Sequence, residues 1–129
     1  MLAHGLAVRV KAGFERVVSA LAEVDEASNV YLRVLPVRPR VAVAVGEKYF
    51  LRAGNSLAAT TIALEEGDTT ILRVIVTGAR EGLLDFFDLG ASRDYARMVV
   101  DDVARRLATG YEVLAEVERL SRGKSSMLG

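Results

Sequence analysis

The apolar positions of this chain change their spacing several times, and each change marks an element. From Gly5 to Lys11, the residues Leu6, Val8 and Val10 alternate with Ala7, Arg9 and Lys11, the two-residue period of a half-buried strand. Gly13 ends that run. Phe14, Val17, Val18, Leu21 and Val24 then share a stripe opposite Glu15, Arg16, Ser19 and Glu23, which predicts an amphipathic helix with Asn29 as its stop. Four strands are expected next. "VYLRVLP" is rich in β-branched and aromatic residues and closes at Pro36, and Pro39 opens "RVAVAVGEKYFLR", where Gly46 suggests a bulge or bend. The turn "AGN" leads into "SLAATTIALE", and "EGD" is a hairpin signal before "TTILRVIVTG". Ser92 then reads as the N-cap of a long helix, with Asp94 in the first turn. Its stripe is Tyr95, Met98, Val99, Val103 and Leu107. Leu114, Val117 and Leu120 extend the same stripe, so Gly110 either ends this helix or only weakens it. The last residues, "SRGKSSMLG" from about position 121, are expected to fray.

Strand, helix, four strands and a long helix predict an α+β fold. The sheet is antiparallel, with about five strands in the order β-α-β-β-β-β-α, and the two helices pack on it. This order resembles the helix-grip arrangement shared by TATA-binding-protein-like (TBP-like) and START or Bet v 1-like folds. More narrowly, the half of the chain from "RVAVAVGEKYFLRAGN" to "DYARMVVDDVARRL" is similar in layout to a small uncharacterised prokaryotic domain family. In that family a Gly-bearing strand end runs through an aromatic-rich loop into the last helix. Its motifs are structural, so the resemblance implies a fold and transfers no catalytic residue.

Composition narrows the classes. The 129 residues contain no Pro/Gly/Ser-rich linker, so residues 1–129 are expected to form a single domain. Without Cys there are no thiolate nucleophiles, redox pairs or thiolate zinc sites. Seventeen basic residues balance seventeen acidic ones, leaving no surplus to hold a phosphate backbone, so nucleic acid is not an expected partner. No apolar run approaches the ~20 residues of a membrane-spanning helix. The start "MLAHGLAVRV" breaks at His4 and Arg9, unlike a signal peptide. These features predict a soluble, cytoplasmic chain without membrane partners. The absence of Gln, with Asn only at Asn29 and Asn55, fits a heat-adapted organism, although GC-rich codon usage gives the same bias.

The connection "REGLLDFFDLGASRD" is too apolar for an ordinary loop. Leu83, Leu84, Phe86, Phe87 and Leu89 are more large side chains than water tolerates on one surface. As a plug, the segment closes the sheet–helix core. As a lid hinged at Gly78, Gly82 and Gly90, it covers a pocket for an apolar or amphipathic small molecule. The lid reading makes Leu83, Leu84, Phe86, Phe87, Tyr95 and Met98 the candidate ligand-binding residues.

Other candidate chemistry has a plainer account. Asp85, Asp88, Asp94, Asp101 and Asp102 match no calcium loop, and read as a solvated helix face paired with Arg97, Arg105 and Arg106. His4, the one histidine, is expected to be a partly exposed strand residue. Arg33, Arg38 and Arg40 form a local basic patch able to grip phosphate or carboxylate, or simply to discourage strand pairing. "GAREG" lacks the spacing of a phosphate-binding loop. No catalytic residue, metal site or cofactor is expected, and an enzyme reading has no motif behind it. The leading expectation is a small non-enzymatic binding domain for an apolar molecule held between sheet and long helix. The alternative is a homo-oligomeric interaction or scaffold protein, because both faces of "VAVAVG" are apolar and a second subunit can supply the outer cover.

Overall fold

The computed structural model describes residues 3–24, 28–51, 54–78 and 85–129, with backbone alone at 28 and 85–89. The elements are β1 (Ala3–Val10), α1 (Phe14–Ala22), β2 (Ser28–Leu35), β3 (Val41–Phe50), β4 (Asn55–Glu66), β5 (Thr69–Thr77), α2 (Asp85–Arg106), β6 (Tyr111–Leu120), a 3-10 turn (Arg122–Lys124) and α3 (Ser125–Leu128). The strands form one antiparallel sheet of six in the order β2-β3-β4-β5-β1-β6. The expected α+β class and its first seven elements are present, but the strand count differs from the expected five.

Alternation along the strands builds the main core. Leu6, Val8 and Val10 of β1, Ala42 and Ala44 of β3, Leu57, Ala59 and Ala63 of β4, and Leu72, Val74 and Val76 of β5 are buried on one face. Phe14, Val17 and Leu21 of α1 and Tyr95, Val99 and Val103 of α2 join the same cluster. Small Ala side chains on β3 and β4 leave room for the bulkier residues of the helices to interdigitate. Asn29, expected as the stop of α1, acts from β2. Its Nδ2 donates to the carbonyls of Leu21 (3.2 Å) and Ala22 (3.4 Å), satisfying acceptors that the helix end leaves open. The bulge suggested at Gly46 falls on the opposite strand. The β2–β3 register shifts between Asn29 and Tyr31, where Val30 is the extra residue.

The sixth strand is the principal correction. Leu114, Val117 and Leu120 do not continue a helix. The Thr109 N–H bonds the Ala104 carbonyl (3.0 Å) and the Ala108 N–H bonds the Arg105 carbonyl (3.1 Å), while Ala108 turns left-handed at φ 49°. This is a Schellman stop two residues before Gly110. The Thr109 hydroxyl then donates to the Lys11 carbonyl, and the Lys11 N–H bonds the Gly110 carbonyl, which sets β6 beside β1. The β1–β6 register shifts between Ala7 and Val8, leaving Leu114 as a bulge. Ser92 is corrected too. The helix begins at Asp85, so Ser92 lies buried within α2 rather than capping it.

The end expected to fray carries the 3-10 turn and α3, and Leu128 is buried against Ala7 and Val117 on the second face of the sheet. It sits close over Gly5, where an added Cβ would come within 2.9 Å of Leu128 Cδ2. That small second core covers, among the described residues, the β1–β6 end, with Ile75 of the neighbouring β5 packed at its margin. Among the described residues, no helix is long and apolar enough to cross a membrane.

Candidate functional site

The candidate ligand residues divide between the described and the undescribed. Leu83 and Leu84 lie outside the described residues, as do the side chains of Phe86 and Phe87, whose backbone forms the first turn of α2. Tyr95 is fully buried, and its ring centroid is 5.3 Å from that of Phe50. Met98 is half-buried against the main core. The Tyr95 hydroxyl has no hydrogen-bond partner among the described residues. Burial, with the negative charge of Glu47 adding to it, pushes its phenol well above the ordinary range. Between α1, α2 and the sheet, the gap lined by Leu21, Val24, Ala44, Ala59 and Val99 measures about 10 Å³, room for one water at most. A larger trough of about 510 Å³ runs between α1 and the end of α2. It is open to solvent, and its walls carry Glu15 and Glu23 against Arg16 and Arg106, so neither sign of ligand is favoured.

His4 is not a partly exposed residue. Because β6 adds outside β1, the strand that carries His4 is interior, and the side chain is 0% exposed. Its ring Nε2 lies 2.8 Å from Glu116 Oε2. Arg97 of α2 donates to the same carboxylate, with Nη2 at 2.7 Å from Oε1. These donors, Arg97 foremost, hold the Glu116 carboxyl below the usual carboxylate range. The Tyr111 hydroxyl donates to Asp101 at 2.5 Å, a second tie from β6 to α2. Sequence reasoning missed this cluster because it missed β6. The signal was there: Tyr111, Val113, Ala115 and Val117 alternate with Glu112, Glu116 and Glu118.

The acidic helix face also needs correcting. Asp102 is buried, with Arg106 Nε donating to Oδ2 at 2.7 Å and the Arg105 guanidinium against Oδ1. These arginines, one turn on, fold back over the carboxylate and roof it. The side chains of Asp85 and Asp88 lie outside the described residues. No three His, Asp or Glu side chains gather as metal ligands among the described residues. The basic patch splits. Arg40 pairs with Glu65 and Glu15 and stacks over the Phe14 ring, whereas Arg33 points out from β2.

Among the described residues, the surface that remains without a cover is the β2–β3 side of the sheet. Cross-strand register places Tyr31, Arg33 and Leu35 on the face opposite the helices, beside Val45, Val43 and Val41, with Thr60, Ile62 and Leu64 next in line. The charges there across those three strands, among the described residues, are Arg33, Glu47 at the far end of β3, and Glu66 at the end of β4, which Arg9 neutralises. On β2 both faces are open: Tyr31 is 48% exposed on one, while Leu32 at 38% and Val34 at 46% are exposed on the other. Val37, just beyond, is exposed as well. Comparison with known family models and with curated proteins finds no match to this chain.

Proposed function

We propose that this protein is a homo-oligomeric interaction domain without enzymatic chemistry, assembling through the uncovered β2–β3 side of its sheet. The observation that carries this is the apolar pattern on both faces of β2 and on the open face of β3, in a sheet whose α1 and α2 lie on one side and whose α3 reaches only the β1–β6 end of the other among the described residues. Strands that read as apolar on both faces are normally covered on both, and a symmetric copy is the simplest cover. The helix-grip or TBP-like likeness is part of the same proposal. The order from β1 to α2 supports it, and β6 departs from it by following the long helix.

Native mass spectrometry, run from low to high micromolar protein, tests the reading. The expected result is a species at a whole multiple of the 13.9 kDa chain mass. A strict monomer over that range overturns it. One observation favours a second reading, a small-molecule site between α2 and the sheet: the buried Tyr95 hydroxyl has nothing to bond among the described residues. In the same spectrum that reading requires an added small mass that disappears on denaturation.

A further inference from the structure

Resting on the oligomer reading, we infer that the partner is a second copy joined edge to edge. Strand β2 pairs antiparallel with β2 of that copy about a twofold axis at Leu32, and the two six-stranded sheets become one.

The two edges of the sheet are built differently. The β6 edge carries Glu112, Glu116, Glu118 and Arg119, is bulged at Leu114, and turns left-handed at Arg119 with φ 51°. Charge, a bulge and a kink are what keep an edge from recruiting another strand. From Tyr31 to Leu35 the β2 edge has a regular register, no proline and one charge, Arg33. Its exposure also discriminates between modes of cover. A second sheet stacked face to face would shelter Tyr31 and Leu35 but leave Leu32 and Val34 in water. A strand added at the edge brings apolar neighbours to both faces at once.

The sequence of β2 is self-complementary in one register. A slip by one residue exchanges the faces, so only pairings centred on a residue keep Leu32 and Val34 on the helix side. Centring on Arg33 sets two guanidiniums against each other, and centring on Val34 draws Pro36, which has no N–H, into the ladder. Centring on Tyr31 brings the Val30 bulge next to the axis. Centring on Leu32 opposes Leu32 to its own copy and places each Arg33 opposite the Tyr31 ring of the other chain, a cation–π pair made twice. Arg33 makes no ion pair among the described residues and is free to do this.

The native chain has no Cys, so any single introduced thiol can bridge only between molecules. Four full-length variants are oxidised mildly at equal concentration: Leu32→Cys, Val34→Cys, Val43→Cys on the open face, and Met127→Cys at the far end as a collision control. The expected result is a covalent dimer from Leu32→Cys alone. In addition, Arg33→Glu should raise the dissociation constant of the otherwise native protein about tenfold. If the native protein is dimeric by mass but Val43→Cys bridges instead, or no variant bridges, the edge pairing is overturned while the oligomer reading stands. Bridging by Val34→Cys in place of Leu32→Cys overturns the register. A monomeric native protein overturns both the pairing and the reading beneath it.

Discussion

Tyr95 fills space between α2 and the sheet, stacks at a tilt against Phe50, and brings an oxygen that no donor or acceptor of the described residues meets. A buried hydroxyl without a partner forfeits its hydration for nothing, a cost of about 1–3 kcal/mol. Removing only the oxygen leaves the ring packing intact. Tyr95→Phe is therefore expected to raise unfolding free energy by about 1 kcal/mol, measured by urea denaturation of the purified protein. The sign of the change carries the information. A loss of stability instead would mean that the hydroxyl has a partner in solution, which is the condition the small-molecule reading requires. His4 is answered on one side only: its Nε2 meets Glu116, while its buried Nδ1, like the Tyr95 hydroxyl, has no partner among the described residues.

The end of α2 decides the topology, because a helix that ran on would leave no β6. The stop is made by Ala108, held at φ 49° where a side chain is strained, and not by Gly110, the residue that sequence reasoning singled out. Glycine is relaxed in that conformation. Ala108→Gly should thus stabilise the protein by roughly 0.5–1 kcal/mol, read as a higher melting temperature with an unchanged far-ultraviolet spectrum. The same turn shows what the sequence conceals. The first five strands were legible, and α1 too, because each keeps one period and meets a Gly, Pro or Asn at its end. In β6 the Leu114 bulge adds an apolar residue out of phase, so Leu114, Val117 and Leu120 imitate a helical stripe. Once β6 is taken for helix, β1 becomes an edge, and His4 is wrongly placed in partial contact with solvent. The proposed interaction surface was half legible: the apolar alternation of β3 pointed to a cover on both sides, but the unguarded state of β2 follows only from its position at the sheet edge. The start of α2 differed for another reason, since an apolar segment punctuated by Asp and Gly does not declare a helix by its period.

Across the whole molecule, ionic ties link strands and helices that the core reaches only in part. Arg9 bridges Glu66 of β4 and Glu112 of β6, Arg40 joins Glu65 of β4 to Glu15 of α1, and Arg97 of α2 holds Glu116 of β6. Hydrogen bonds from these guanidiniums lower the carboxyl pKa of Glu65, Glu66 and Glu116 in the folded state. The unfolded chain therefore takes up protons first as pH falls, and linkage weakens folding there. The stabilisation is complete above the unfolded carboxyl range of about 4–4.5 and is lost as pH drops through the lower folded values. The melting temperature is expected to be flat from pH 7 to about 5 and to fall steeply below. Glu116→Gln isolates the tie that fastens β6. The amide oxygen can still accept from His4 Nε2, but the charge facing Arg97 is gone. This variant should melt about 2–4 °C lower at pH 7 and show a shallower acid decline, because its folded state has one fewer carboxylate to protonate. Parallel acid slopes for variant and native protein would remove Glu116 from this account and leave β6 held by its ladder to β1 and by Tyr111 on Asp101.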